Sequence, residues 1–236
     1  MWEVRALKNG ECKVKGDLAF HDGDPDELFD FYLYVWLITS QHGVIVVDTG
    51  PKDVQLFNDM VKDYIPDGVK QLPEETTLAL LRRVNVEPTD VQFVSITHTH
   101  YDHASLIDIF PNATIVLTRR TYDAGSGSLD SFSSTWRQRA RIVADDEEFV
   151  PGISLFWVGG HSPCSQAMRV QTADGIAIIC GDTVFLYRNI EENRPIGAAH
   201  SIDECYTAME RIRREADIVL PGHDPEVLKR YPHVNP

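Results

Sequence analysis

Residues 98–103 read His98-Thr99-His100-Tyr101-Asp102-His103, directly after the apolar run Val91-Gln92-Phe93-Val94-Ser95-Ile96-Thr97. Four side chains able to bind a metal thus leave the end of one strand, and a turn there can fold them toward one point. Imidazole and carboxylate are ligands that divalent zinc, iron, cobalt or manganese accept. One ion cannot use all four with good geometry, because His98 and His100 fall on one side of the turn while Asp102 and His103 project from the next. Two ions are the natural reading.

Three further runs that read as buried strands end in the same way: 153–160 before His161, 176–181 before Asp182, and 217–222 before His223. Val44-Ile45-Val46-Val47-Asp48-Thr49-Gly50 repeats the form of strand, acid and glycine. A glycine beside a ligand takes up positive φ and lets the backbone approach closely. A single histidine is more often a surface or hydrogen-bonded side chain than a ligand. Here five of the nine histidines fall at strand ends in one pattern, which favours the metal.

The ordered set Asp48, His98-x-His100-x-Asp102-His103, His161, Asp182 and His223 resembles the metallo-β-lactamase superfamily over nearly the whole chain. Within it the resemblance runs to the N-acyl-homoserine lactonase, or quorum-quenching lactonase, family. It is supported by Val46-Val47-Asp48-Thr49-Gly50, the helix-like stretch 73–86 leading through 87–91, Val150-Pro151-Gly152, Gly160-His161-Ser162-Pro163 with Gln166, and Gly222-His223-Asp224. The resemblance implies an α/β fold, an αββα sandwich with a dinuclear metal site at one edge of its two sheets. It implies that His98, His100 and His161 hold one ion, that Asp102, His103 and His223 hold the other, and that Asp182 bridges both. Zinc is the expected metal, with iron, manganese and cobalt as alternatives. The implied chemistry is attack by a metal-bridging hydroxide on a lactone of the N-acyl-homoserine type or a related ester, with Asp102 or Asp182 carrying the proton. Asp48 is expected to be a buried carboxylate that orients the ligand loops through hydrogen bonds.

One position departs from the lactonase pattern. The family carries a tyrosine three residues after the bridging aspartate, where its hydroxyl helps bind the lactone carbonyl or leaving oxygen, and this chain has Phe185. Tyr187, two positions further on, is the candidate catalytic donor in its place, with a purely structural role as the alternative. Other branches fit less well. True β-lactamases place cysteine or serine at the position of Asp182, and diiron oxidoreductases place glutamate at that of His100. Glyoxalase-type thioesterases append a helical domain for which the sequence after His223 leaves no room. A small thioesterase, a persulfide dioxygenase with one iron, and a metal-dependent sensor that binds without turnover stay as alternatives.

Length and charge narrow the partners. A chain of 236 residues with 43% hydrophobic side chains suits one compact domain over 1–236. With 22 basic against 36 acidic side chains the net charge is −14, which repels polyphosphate and disfavours nucleic acid. The N-terminal residues lack the apolar core of a secretory signal, and no run is long enough to span a membrane, so a cytoplasmic location is expected. The expected partner is a small-molecule substrate, with a homodimer left open. Cys12, Cys164, Cys180 and Cys205 lack disulfide spacing and are expected to be free thiols. Cys164, three residues after His161, reads as a small packing residue with metal ligation as the alternative, and Cys180 as core.

Alternation predicts hairpins from 31–39 with 43–48 and from 167–172 with 175–179, and a strand over 114–118. The clearest helix spans 202–216, with Ser201 and Glu204 as a capping box and Ile202, Cys205, Met209, Ile212 and Ala216 on one stripe. Residues 17–33 and 122–149 break the regularity with aromatics, acids and glycines, and are the expected walls of a substrate pocket.

Overall fold

The computed structural model describes residues 1–231. Among the described residues, eleven strands form two sheets. The first sheet holds β1 (Glu3–Lys15), β2 (Leu28–Ser40), β3 (Gly43–Val47), β4 (Phe93–Ser95), β5 (Thr114–Thr118) and β6 (Ala140–Val143), in that spatial order. The second holds β7 (Glu148–Val150), β8 (Ile153–Trp157), β9 (Gln166–Thr172), β10 (Gly175–Ile179) and β11 (Ile218–Leu220), ordered β11-β10-β9-β8-β7.

The period-two alternation of the strands decides which side chains meet. In β2 and β3, Trp36, Ile38, Ile45 and Val47 face the second sheet and join Ile153, Leu155, Met168, Val170, Ala177 and Ile179 in the central core. Leu37 and Val46 point the other way, onto Leu80, Leu81, Ile107, Phe110 and Trp136 from helices and turns on the outer face. On the far side of the second sheet, Phe156 and Ile178 pack under Ala208, Met209 and Ile212 of the helix Ile202–Glu215. Helix, sheet, sheet and helix give the αββα sandwich that the resemblance implies. Among the described residues no helix is long and apolar enough to cross a membrane.

Strand direction gathers the functional turns. β8 and β10 are both antiparallel to β9, and β11 is parallel to β10, so the C-terminal ends of β8, β10 and β11 share one edge. The turns after them carry His161, Asp182 and His223. The turn after β4 brings residues 98–103 to that edge from the other sheet.

The predicted hairpins and the strand over 114–118 are present. The stretch 73–86 is divided into a 3-10 turn Pro73–Glu75 and a helix Thr77–Arg83. Only half of the expected capping box forms. Ser201 accepts from Glu204 N at 3.3 Å, but the Glu204 carboxylate turns away to accept from Gly160 N at 3.0 Å.

Candidate metal centre

Two trios of ligand atoms converge at the shared edge, His98 with His100 and His161, and Asp102 with His103 and His223. Asp182 stands between them. Its Oδ2 lies 3.7 Å from His98 Nε2 and 3.6 Å from His161 Nε2. Its Oδ1 lies 3.2 Å from His103 Nε2 and 3.1 Å from His223 Nε2. One carboxylate therefore turns one oxygen toward each trio. Each trio draws two members from the turn after β4 and one from the other sheet.

The outer nitrogens of the rings fix which nitrogen faces inward. His103 Nδ1 lies 2.8 Å from Asp48 Oδ2, His161 Nδ1 2.7 Å from Ala198 O, and His223 Nδ1 2.8 Å from Tyr32 O. Carboxylate and carbonyl oxygens only accept here, so each Nδ1 carries a proton and each Nε2 can present its lone pair to the centre. Asp48 also accepts from Thr97 N at 2.7 Å and Thr97 Oγ1 at 2.9 Å. It thus ties the strand end before His98 to His103. Thr97 was not singled out in the sequence, although its place between the apolar run and His98 marks it.

Glycines let these turns close. Gly160 has φ +74°, and a Cβ there would stand 2.7 Å from Cys205 Sγ. Gly181 has φ +55°, and a Cβ there would lie 2.5 Å from Thr97 Cβ. Both positions need the left-handed backbone and the missing side chain together.

The centre is built for a cation. His98 Nε2 and His103 Nε2 are buried without a hydrogen-bond partner, a state that costs about 1–3 kcal/mol for each polar atom left unsatisfied. Burial opposes the charge on Asp182, but the His103, His223 and His98 rings outweigh it and hold the carboxyl well below its usual range. Burial likewise lowers the His103 pKa, yet Asp182, Asp102 and Asp48 outweigh it and hold the ring well above its ordinary value. His98, with burial dominant, is held well below. Inward lone pairs, ionised carboxylates and orphaned nitrogens fit divalent metal ions.

A cavity of about 770 Å³ opens from the centre. Asp102, Asp182 and His223 line its polar end, and Val14, Leu33, Phe57, Ile65 and Phe185 are among its apolar walls. Of the two expected wall segments, 17–33 contributes Asp17, Leu18, Phe31 and Leu33. Segment 122–149 contributes none among the lining residues, and its Trp136 is fully buried beneath the first sheet. The missing wall comes from 57–65, where Phe57, Val61 and Ile65 recur at four-residue steps in a stripe that sequence reading could have found.

Tyr187 is a second correction. It begins the helix Tyr187–Glu191, belongs to the central core, and does not line the cavity. Its backbone N donates to Asp224 Oδ2 at 2.7 Å, and its hydroxyl is buried with no partner among the described residues. Phe185, in contrast, packs against His161 and His223 with ring centroids 5.8 and 5.5 Å away. Cys164 is buried, with Sγ 3.2 Å from Ser162 Oγ, and joins neither trio. Cys12, Cys180 and Cys205 are also buried and free.

Residues 29–223, which hold both trios and Asp182, match a family model described as the metallo-beta-lactamase superfamily. The chain belongs to the metallo-β-lactamase superfamily. An N-acyl homoserine lactonase of Bacillus cereus is 26% identical over 230 residues, covering 93% of this chain and 92% of the relative. One from Bacillus sp is 28% identical over 227 residues, covering 92% and 91%. Among solved structures, a mutant of B. thuringiensis AiiA with N-decanoyl-L-homoserine bound at its active site superposes with a TM-score of 0.81 at 26% identity, covering 96% of this chain and 95% of that one. An N-acyl homoserine lactone hydrolase with its product N-hexanoyl-L-homoserine at the catalytic metal centre gives 0.80 at 25%, covering 97% and 95%.

Proposed function

We propose that this protein is a metal-dependent hydrolase that opens N-acyl-homoserine lactones. The observation that carries the reading is the split of Asp182 between two ligand trios at the polar end of an apolar cavity. His98, His100 and His161 would hold one ion, Asp102, His103 and His223 a second, and Asp182 both. When bound, zinc or a similar divalent ion lowers the pKa of water toward about 7, polarises a carbonyl and neutralises a leaving alkoxide.

The chain supplies the rest. Asp48, Ala198 O and Tyr32 O hold three imidazoles in the tautomer that leaves Nε2 free. Asp102 lines the cavity, and its carboxyl lies below the usual range because His103 outweighs the effect of burial. In this reading it would take a proton after attack and pass it to the leaving oxygen. Phe31, Leu33, Phe57 and Ile65 offer an apolar wall to an acyl chain, while the lactone ring lies against the acids and histidines. A substrate with one apolar tail and one small polar ester matches both ends.

A substrate panel tests the reading. Protein loaded with zinc, manganese or iron is offered N-acyl-homoserine lactones, thioesters, aryl esters and a chromogenic cephalosporin, with metal content measured by elemental analysis. Lactone opening as the fastest reaction, at two ions per chain, is expected. Preference for thioesters, or tight lactone binding without turnover, would replace the lactonase by a thioesterase or a sensor. A reproducible ratio near one ion would end the two-ion assignment.

A further inference from the structure

The cavity wall has no hydroxyl at Phe185, and the Tyr187 hydroxyl is enclosed in the core. A phenolic hydrogen-bond donor to the polar end of a bound ester, added to what a metal supplies, would therefore come from another wall residue. Two tyrosines stand on that wall, Tyr64 and Tyr101. Tyr64 is 57% exposed, too open to water for a fixed donor. Tyr101 lies between His100 and Asp102 in the chain, at the start of the short helix Tyr101–Ala104, so members of both trios fix its backbone.

Its ring is held on two sides. Phe57 stacks on it with centroids 6.1 Å apart and planes 13° apart, and Phe132 meets it edge-on at 5.6 Å and 84°. Its hydroxyl makes no hydrogen bond to any described residue, yet it is not among the enclosed polar atoms. A phenol with a fixed ring and an open, unpaired O–H is a preorganised donor: little ordering is needed when an acceptor enters. Both remaining features of the neighbourhood agree. Phe57 belongs to the apolar wall, so the tyrosine joins the tail-binding surface to the metal ligands, and Phe185, packed against His161, brings no competing donor.

We propose that Tyr101 donates a hydrogen bond to the carbonyl or leaving oxygen of the substrate, in place of the phenol absent at position 185. The assignment rests on the lactone reading above. No bond to Tyr101 forms or breaks; its proton stays on the phenol and the hydrogen bond shortens as charge grows on the ester oxygen.

Tyr101→Phe is the test, because it keeps the ring and its contacts with Phe57 and Phe132 and removes only the oxygen. The expected result is a fall of about a hundredfold in kcat/KM for an N-acyl-homoserine lactone, carried mainly by kcat. Calorimetric affinity for the ring-opened N-acyl-homoserine should weaken by about threefold to tenfold, as for one neutral hydrogen bond. Metal content and Tm should be unchanged. Adding Phe185→Tyr to that variant should restore part of the rate. Turnover and product affinity both within twofold of the unsubstituted protein would overturn the assignment. The unsubstituted protein tests the lactone reading separately. If it cleaves another ester instead, the same comparison is made on that ester, and an unchanged rate there removes Tyr101 from the site; if it cleaves none, the donor role falls with the reading.

Discussion

Tyr187 and Asp48 mark the two ways a side chain near a ligand in sequence can stand in space. The ring of Tyr187 packs into the central core, which leaves its hydroxyl desolvated and unpaired. Tyr187→Phe should then leave turnover unchanged and hold or raise stability, by up to about 1 kcal/mol, since it removes an unsatisfied polar atom. Steady-state kinetics and a thermal melt decide it, and a hundredfold rate loss would return the phenol to the site. Asp48 is the reverse case, enclosed but fully used by Thr97 and His103. Asp48→Asn should weaken metal affinity by about 10–100-fold while the fold persists, read by competition with a chromophoric chelator. Unchanged affinity would leave Asp48 as a structural hydrogen-bond acceptor only. The ligands were legible in the sequence because metal chemistry admits few residue types and each follows an apolar run. The direction of Tyr187 was not, since it depends on a core assembled from both sheets.

Elements were legible where burial writes a simple period. The stripe of the helix Ile202–Glu215 is buried as read, through Cys205, Ala208, Met209 and Ile212. β1 went unread although it is 13 residues long, because a bulge between Lys8 and Gly10 breaks its alternation and charged residues occupy its edge face. Glu204 was assigned to its own helix cap, but the nearby Gly159-Gly160 turn offers an unpaired backbone N–H and wins it. That exchange clamps the helix onto the His161 turn. Gly160→Ala should loosen the clamp, since the new methyl meets Cys205 and the backbone has φ +74°. A stability loss of about 1–3 kcal/mol is expected from the left-handed backbone alone, together with weaker metal binding. A melt within 1 °C of the unsubstituted protein and full metal retention would show that the turn tolerates a side chain.

At the scale of the whole molecule, the centre concentrates anionic groups in a chain that already carries a net charge of −14. The trios exist only once both sheets have docked, so an ion that they hold favours the folded state. Thermal stability should therefore rise with free metal concentration, by about 2.7 kcal/mol at a hundred times Kd, and fall on chelation. Differential scanning calorimetry across a metal titration checks this; a Tm independent of metal would mean that the ligands do not share an ion with the folded state alone. The two-sheet architecture was legible only through the resemblance, because strand order across 11 strands is set by pairings that no local pattern records.

Each trio takes two members from one sheet and one from the other, and this orders events in time as well as space. A chain with its sheets still apart has no complete trio, so an ion held by one is expected to bind after docking and not before it. Refolding in chelator should build both sheets at an unaltered rate and lack only a late, metal-dependent phase. Pulled apart, the sandwich should lose any bound ion as its sheets begin to separate, since each trio spans both of them while the apolar core between them still holds.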